Sequence, residues 1–401
     1  MRILYLADIR FPLERANGIQ SMETCHALAS RGHVVTMVVR PDTRRPERDP
    51  FAFYGLPRLE TLRIETAAVT GPEPARRTGY VTFVLGRSLG RARQDLIVTR
   101  DLAVASLLLR LPRSLRAPIV FEAHGIAADE AADRPARLSG AKAASAAKLR
   151  RLANRDAHVW RGADGYVTIT AGLKHELERR FGARTRVAVV PDGVRFQLPA
   201  AGSQLSAAGS QPFTIGYAGH LYPWKGVDLV VETIAGLQDT RGLIVGGHEQ
   251  EPDLARVKAR AEGLYCSLRI TFTGMLPHAE VAARLREADV LLLPNPSSAL
   301  SREFTSPLKL FEYMASGTPI VASDLPSLRE VLTDGANALL VEPGNPHAFT
   351  EGVRRIKDDP ALGARLAAQA LADVREYTWD RRAERLDALF AEVLGVREVR
   401  P

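Results

Sequence analysis

Short apolar runs alternate with segments of helical period along most of the chain. Ile3–Ala7 is the first run, and it reads as a buried strand. Gly18 to Ser30 follows with Met22, Cys25, Leu28 and Ala29 on one face, which predicts a helix. Arg31-Gly32-His33 makes a turn, and the β-branched run Val34–Val39 predicts a second strand. Strand, helix, strand in this order is a βαβ unit, and such units build parallel sheets. Leu96–Thr99, Ile119–Phe121, Tyr166–Thr170 and Val187–Val190 continue the strand series. Ala127 to Arg155, rich in Ala, Arg and Lys, is helical by propensity.

The alternation breaks at Ala200–Gln211, AAGSQLSAAGSQ, a linker or long surface loop in which AGSQ occurs twice. It then restarts. Strands are expected at Phe213–Ala218, Gly242–Val245, Arg269–Thr273, Val290–Leu293 and Ile320–Ala322. Helices are expected from Val227, around Asp253–Glu262 and around Glu280–Glu287, and from Ser306 to the Gly317 stop. Two doubly wound α/β domains result: 1–200, a linker at 201–211, and 212–376, with a terminal segment at 377–401. In such sheets ligands bind at the carboxyl ends of the strands. With two domains, the expected site is the cleft where they face.

Composition narrows the partners. Hydrophobic content of 46% and charged content of 25% are those of a globular protein. No apolar run approaches the ~18–20 residues of a bilayer span. MRILYLAD has one Arg and a short apolar run ending at Asp8, so it is expected to be a strand rather than a secretory signal. Cys25 and Cys266 are far apart and match no metal spacing, which fits a reduced cytoplasmic setting. The formal net charge is +8, carried mostly by scattered Arg with pairs at Arg44–Arg45, Arg76–Arg77 and Arg150–Arg151. No aromatic interleaving or zinc-finger pattern points to nucleic acid. A phosphorylated substrate or an anionic membrane surface suits the charge better.

Several short motifs are decoys. Gly86-Arg-Ser88-Leu-Gly90 has the spelling of a nucleophile elbow, with Tyr80–Leu85 as its strand. Only Arg91–Gln94 then separates it from the next strand, so the long helix that the elbow requires is missing. Ser-x-x-Lys occurs three times, at Ser139, Ser145 and Ser306. His175-Glu176 and His248-Glu249 lack the second His of a zinc protease helix, and no P-loop is present. No metal site is expected.

Three constellations suit an anion. Ala16-Asn17-Gly18-Ile19 lies between the first strand and its helix, where a glycine lets backbone N–H groups approach a ligand, although an ordinary turn reads the same way. GYAGHLYPWKGVDLVVE puts Lys225-Gly226 just before a helix, where a Lys reaches a phosphate as a point charge or lies on the surface. SPLKLFEYMASGTPIVASD is expected to start a helix on an N-capping Ser306 with Pro307 as its first residue, beside the hydroxyl of Thr305. Leu308, Phe311, Met314 and Ala315 make its buried face. Lys309 and Glu312 share another face, as a solvated ion pair worth ~0.2–0.5 kcal/mol or as ligands.

In order and wording, these segments resemble the GT-B retaining glycosyltransferases of family four. The blocks IGYAGHLYPWKGVDL, ITFTGMLPHAEVAARLREADVLLLPN and SPLKLFEYMASGTPIVASDLPSLREVLTDGANALLVEPGN carry the likeness in the second half. RILYLAD, NG, ALASRGHVVTMVV, FEAHG and VVPDGV carry it in the first.

The resemblance implies two Rossmann-like domains and transfer of a sugar from a nucleotide-diphosphate sugar, with retention and without a metal or other cofactor. It implies Gly18 near the donor diphosphate and His124 near the donor sugar. Lys225 would bind the diphosphate, in a loop with Gly219 and His220. Gly274, Met275 and Leu276 would line the base pocket. Thr305, Ser306 and Leu308 would form the cradle at the helix start, and Glu312 would bind the ribose. His124, Lys225 and Glu312 are the catalytic candidates. The stretch at Trp379-Asp380 resembles the terminal helix that returns to the first domain.

Two positions depart from the family pattern. Its first glutamate, eight positions before Glu312, is Phe304 here, with Glu303 beside it, and its loop Arg is His220. These departures keep a GT-B sugar-nucleotide epimerase and a non-catalytic sugar-nucleotide binder as alternatives. The acceptor is expected to be anionic or lipid-linked, met by the segments Arg40–Gly71 and Ala127–Arg155, with peripheral contact to the inner face of a membrane.

Overall fold

The structure is a computed structural model and describes residues 1–42, 46–69, 71–90, 93–137, 142–196, 212–298 and 302–395. It divides into two compact units, Met1–Gly193 with Trp379–Pro401, and Val194–Thr378. The expected linker at 201–211 lies outside the described residues.

The first unit is built on a seven-stranded parallel sheet in the order β3-β2-β1-β4-β5-β6-β7. The strands are β1 Arg2–Phe11, β2 Val34–Pro41, β3 Leu62–Thr66, β4 Leu96–Thr99, β5 Ile119–Ala123, β6 Gly165–Thr168 and β7 Val187–Val189. Ile3 on β1 pairs with Val35 on one side and Leu96 on the other. Helices cover the sheet, so its central strands carry near-continuous apolar runs such as Ile3–Ala7, and Leu4, Leu6, Val38, Ile97 and Ile119 share one core.

The helix Trp379–Leu394 belongs to this unit. It buries Trp379, Arg382, Ala383, Leu386, Leu389, Phe390 and Val393, the three- and four-residue spacing of an amphipathic helix. Gly165 lets it approach, because a Cβ there would fall 2.6 Å from Val393. Asp387 anchors the helix through Arg31 at 2.6 Å and His33 at 2.7 Å.

Three segments differ from the sequence expectation. Arg40–Gly71, for which no element was expected beyond Val34–Val39, holds the helix Pro50–Tyr54 and the strand β3. Leu-Arg-Ile-Glu-Thr alternates as an edge strand does. Tyr80–Leu85 is not a strand but the middle of the helix Glu73–Ser88, and Ser88 ends that helix fully buried. Ala127–Arg155 is two helices, Ala127–Arg137 and Ala146–Gly162, the second capped by Ser145, whose Oγ accepts from the Lys148 N–H at 3.3 Å.

The second unit carries a six-stranded parallel sheet in the order β10-β9-β8-β11-β12-β13. The strands are β8 Phe213–Ala218, β9 Thr240–Val245, β10 Ile270–Gly274, β11 Val290–Leu293, β12 Ile320–Ser323 and the short edge strand β13 Leu339–Val341, which the sequence reading missed. Alternate residues supply the two faces. Ile215, Tyr217, Val290 and Leu292 enter one core, and Ala218, Leu291 and Leu293 enter the other with Leu310, Phe311 and Met314. The unit opens at Val194, whose N–H donates to the Tyr377 carbonyl at 2.9 Å.

In each sheet the strand order reverses once, between β1 and β4 and between β8 and β11. Ligand sites of open α/β sheets form in the crevice at such a point, beyond the carboxyl ends of the strands.

Candidate active site

In the second unit the loop after β8 is shaped by two glycines. Gly219 has φ +135°, and the Tyr217 hydroxyl beneath it donates to the His220 carbonyl at 2.9 Å. Pro223–Lys225 forms one 3₁₀ turn, closed by the Lys225 N–H on the Tyr222 carbonyl at 2.8 Å. Gly226 follows in the left-handed region, φ +77°, and starts the helix Val227–Ala235. A Cβ on Gly226 would lie 1.8 Å from the Pro294 carbonyl oxygen. Only glycine lets this loop rest on the segment after β11. Lys225 is therefore presented, half-buried, immediately before a helix N-terminus at the switch point.

The helix Leu308–Ser316 starts one turn position later than expected. Pro307 is its N-cap, extended at ψ 127°, and the Leu310 N–H bonds to the Pro307 carbonyl at 2.9 Å. The N-cap position therefore falls on Pro307 rather than on Ser306. Thr305 and Ser306 precede it half-buried, and Leu308 is buried. The helix is tied to β8 by the Ala218 N–H, which donates to the Tyr313 hydroxyl at 2.7 Å.

Burial extends around most of this helix, and Lys309 is included. Its ammonium lies 4.4 Å from the centroid of the Tyr217 ring and has no hydrogen-bond partner. Burial pushes it well below the ordinary lysine range, and the charge of Lys225 adds to this while Glu312 opposes it. The solvated ion pair is thereby corrected: Glu312 is half-buried and Lys309 is 9% exposed. Phe304 is buried at 6% exposure and fills the position of the family glutamate with packing, while Glu303 beside it is half-buried.

Gly274, Met275 and Leu276 stand half-buried at the end of β10. The Gly274 carbonyl accepts from the Gly246 N–H at 3.0 Å, and Leu276 packs on the core. His220 stacks on Tyr222 with centroids 5.0 Å apart and an interplanar angle of 6°. Tyr222 donates to Glu251 Oε1 at 2.9 Å. His220, His248 and Glu251 bring one ligand atom each within 4.8 Å of one another. Two imidazoles and a carboxylate could hold a divalent cation. The sequence reading expected no such group, because His220 comes from the loop after β8 and the other two from the loop after β9.

In the first unit the end of β5 carries a buried charge network. Glu122 and His124 are two residues apart, so they point to the same side of the strand end. Glu122, 1% exposed, accepts from Gln20 Nε2 at 2.5 Å and His124 Nε2 at 2.6 Å, and pairs with Arg382 at 2.7 Å. Arg382 also donates to Thr24 Oγ1 at 3.0 Å and to the carbonyls of Val190 and Pro191 at 2.8 Å. Gln20 in turn accepts from Arg100 at 2.6 Å.

Burial alone raises the Glu122 carboxyl, but the Arg382 charge and the His124 hydrogen bond reverse this and hold it far below the usual carboxylate range. Asp192 is pushed up by burial, against the pull of Arg382. His124 is thus oriented through Nε2 by a carboxylate that stays ionised. The sequence reading found His124 and passed over Glu122 and Arg382. The two-residue step in FEAHG was the available signal for Glu122; Arg382 is remote in sequence.

Gly18 lies inside the first turn of the helix Ala16–Ser30, and its N–H donates to the Arg15 carbonyl at 2.9 Å. A Cβ there would meet the Leu13 carbonyl at 2.4 Å and the Tyr54 hydroxyl at 2.7 Å, so packing by itself requires the glycine. On the same unit Arg110, Arg150, Arg151, Arg155 and His158 line a cavity of about 370 Å³. Among the described residues, no helix is long and apolar enough to cross a membrane.

The two units have the GT-B architecture, and comparison with known proteins agrees. Residues 19–198 match the profile of Glycosyltransferase Family 4, and residues 212–359 that of Glycosyl transferases group 1. The chain belongs to the family-four, group 1 glycosyltransferases. It is 27% identical over 231 residues to D-inositol 3-phosphate glycosyltransferase of Corynebacterium glutamicum, covering 53% of each chain. It is 30% identical over 209 residues to phosphatidyl-myo-inositol mannosyltransferase of Mycobacterium leprae, covering 51% of this chain and 53% of that one. The matched stretches thus span about half the length of these curated relatives. The fold is that of sucrose-phosphate synthase from Thermosynechococcus elongatus, with TM-score 0.79 at 19% identity over 99% of this chain and 100% of that one. It is also that of Anabaena HepE in complex with UDP-glucose, with TM-score 0.70 at 18% identity over 99% and 100%.

Proposed function

We propose that the protein transfers a sugar from a nucleotide-diphosphate sugar to an anionic acceptor, with retention of anomeric configuration. The observation that carries this is Lys225, held before a helix N-terminus at the switch point of the second sheet. A cation and free helix N–H groups there stabilise a departing diphosphate electrostatically. In this reading Glu312 accepts hydrogen bonds from the ribose, Gly274, Met275 and Leu276 line the base, and Thr305, Ser306 and Leu308 flank the phosphates. His124 acts at the transferred sugar. Its carboxylate-fixed imidazole suits stabilisation of an oxocarbenium-like centre. Metal independence is part of the proposal.

The relatives named for inositol phosphate and phosphatidylinositol, together with the arginine-lined cavity of the first unit, support a phosphate-bearing acceptor. The test incubates UDP-, GDP-, ADP- and dTDP-sugars with inositol phosphates and phosphatidylinositol, with and without EDTA. The proposal expects acceptor-dependent release of nucleoside diphosphate and an α-linked product from an α-linked donor, unchanged by chelation. An isomerised free donor without acceptor points to an epimerase instead.

A further inference from the structure

Lys309 is a buried amine that the roles above leave unused. It is 9% exposed, and its ammonium has no hydrogen-bond partner. A lysine ammonium removed from water without a partner is costly, so such an amine sheds its proton or gains an anion. The position of the ammonium indicates where that anion sits. The side chain runs below the loop after β8, with its Cδ 4.0 Å from where a Gly219 Cβ would be, and the ammonium rests over the Tyr217 ring. The charge of Lys225, on the same loop, acts against that of Lys309. Two amines beside one glycine turn resist being charged together, and an anion bound between them relieves that resistance.

We infer that Lys309 and Lys225 form a two-cation cradle for a phosphoryl oxyanion at the carboxyl end of β8, with Lys309 gaining its missing partner when the anion binds. The inference rests on reading the second unit as the nucleotide-sugar site and assigns the diphosphate to this pair. Helix Leu308–Ser316 thereby supplies from below a charge that the loop lacks at His220. The groups facing the Lys309 ammonium are Lys225 from the loop, Tyr217 from β8 and Glu312 from its own helix. An arriving dianion outweighs the repulsion from Lys225 and favours the charged amine. Binding therefore takes up a proton, and affinity falls as pH rises.

The test is calorimetry with UDP, GDP, ADP, dTDP, the matching nucleosides and inorganic pyrophosphate, in two buffers of different ionisation enthalpy. Wild-type protein and the Lys309→Met and Lys309→Gln variants are compared. The expected result is diphosphate binding with proton uptake in the wild type. Both variants should bind diphosphate at least ten-fold more weakly without uptake, keep nucleoside affinity, and melt no lower than the wild type. Equal diphosphate affinity in wild type and variants overturns the inference and leaves the donor site standing. Lys309-dependent binding of pyrophosphate with no nucleotide bound keeps the cradle and overturns the nucleotide-sugar reading. No binding of either class overturns both. Proton uptake by the wild type tests the same point if the variants do not fold, and its absence overturns the inference.

Discussion

The Arg382 guanidinium meets the Glu122 carboxylate at 2.7 Å, with each side chain 1% exposed, across 260 residues of sequence. A buried pair of this kind contributes little over an apolar replacement, but losing one member leaves an uncompensated charge. Glu122→Gln and Arg382→Met should each lower stability by about 3–5 kcal/mol, read by urea unfolding. The folded Glu122 carboxyl is held below its unfolded value, so its contribution is complete above ~4.3. It declines as pH falls below that, toward the folded value. Wild-type stability should therefore drop in acid below about pH 4.3, and Glu122→Gln should flatten that drop.

Asp156 should behave in the opposite sense. Burial, with the carboxylates of Glu130 and Asp129, raises it to about 7, against the backbone N–H groups of Ala128 and Ala127. Here the folded state binds the proton more readily. Stability should therefore fall as pH rises from about 4 to about 7. Asp156→Asn keeps an acceptor for the Ala128 N–H and removes the charge. It should stabilise the protein at pH 8 by on the order of 2 kcal/mol and abolish this dependence, measured as melting temperature against pH.

Gly226→Ala should damage both the second unit and its ligand site. The left-handed φ and the 1.8 Å approach to the Pro294 carbonyl leave no room for a Cβ. A cost of about 1–3 kcal/mol in stability is expected, with weaker nucleoside diphosphate binding as the Lys225 turn shifts. Gly263→Ala, with open space around the Cβ, is the control that should change neither.

Phe304→Glu restores the family residue and should not raise transfer. The site is 6% exposed, so a carboxylate there loses packing and water together. Melting temperature should fall. Glu303→Ala should instead lower transfer while the fold survives, if the half-buried neighbour has taken over the sugar contact. Unchanged transfer in Glu303→Ala would remove that residue from the site.

The fold was largely legible because parallel strands buried on both faces are near-continuous apolar runs, as at Val34–Val39 and Val290–Leu293. The edge strand β3 escaped notice because Arg63 and Glu65 alternate with its apolar residues and break up the run. Lys225, His220 and Glu312 stood out because local wording marks their loop and helix. The state of Lys309 did not, since helical spacing to Glu312 suggests a surface pair, and only the packing of helix Leu308–Ser316 against β8 shows the ammonium to be buried. Glu122 with Arg382 joins a strand end to the terminal helix, and His220 with His248 and Glu251 joins two strand-end loops, which no local pattern encodes.

The most direct test of the nucleotide-sugar site is a thermal-shift panel of UDP, GDP, ADP and dTDP on the wild type, Lys225→Ala and Glu312→Ala. The account predicts that at least one nucleoside diphosphate raises the wild-type melting temperature. Both variants should melt near the ligand-free wild type and lose that shift, with transfer down by roughly 10²–10³-fold for Lys225→Ala. A panel with no shift in the wild type, or an undiminished shift in both variants, would contradict it.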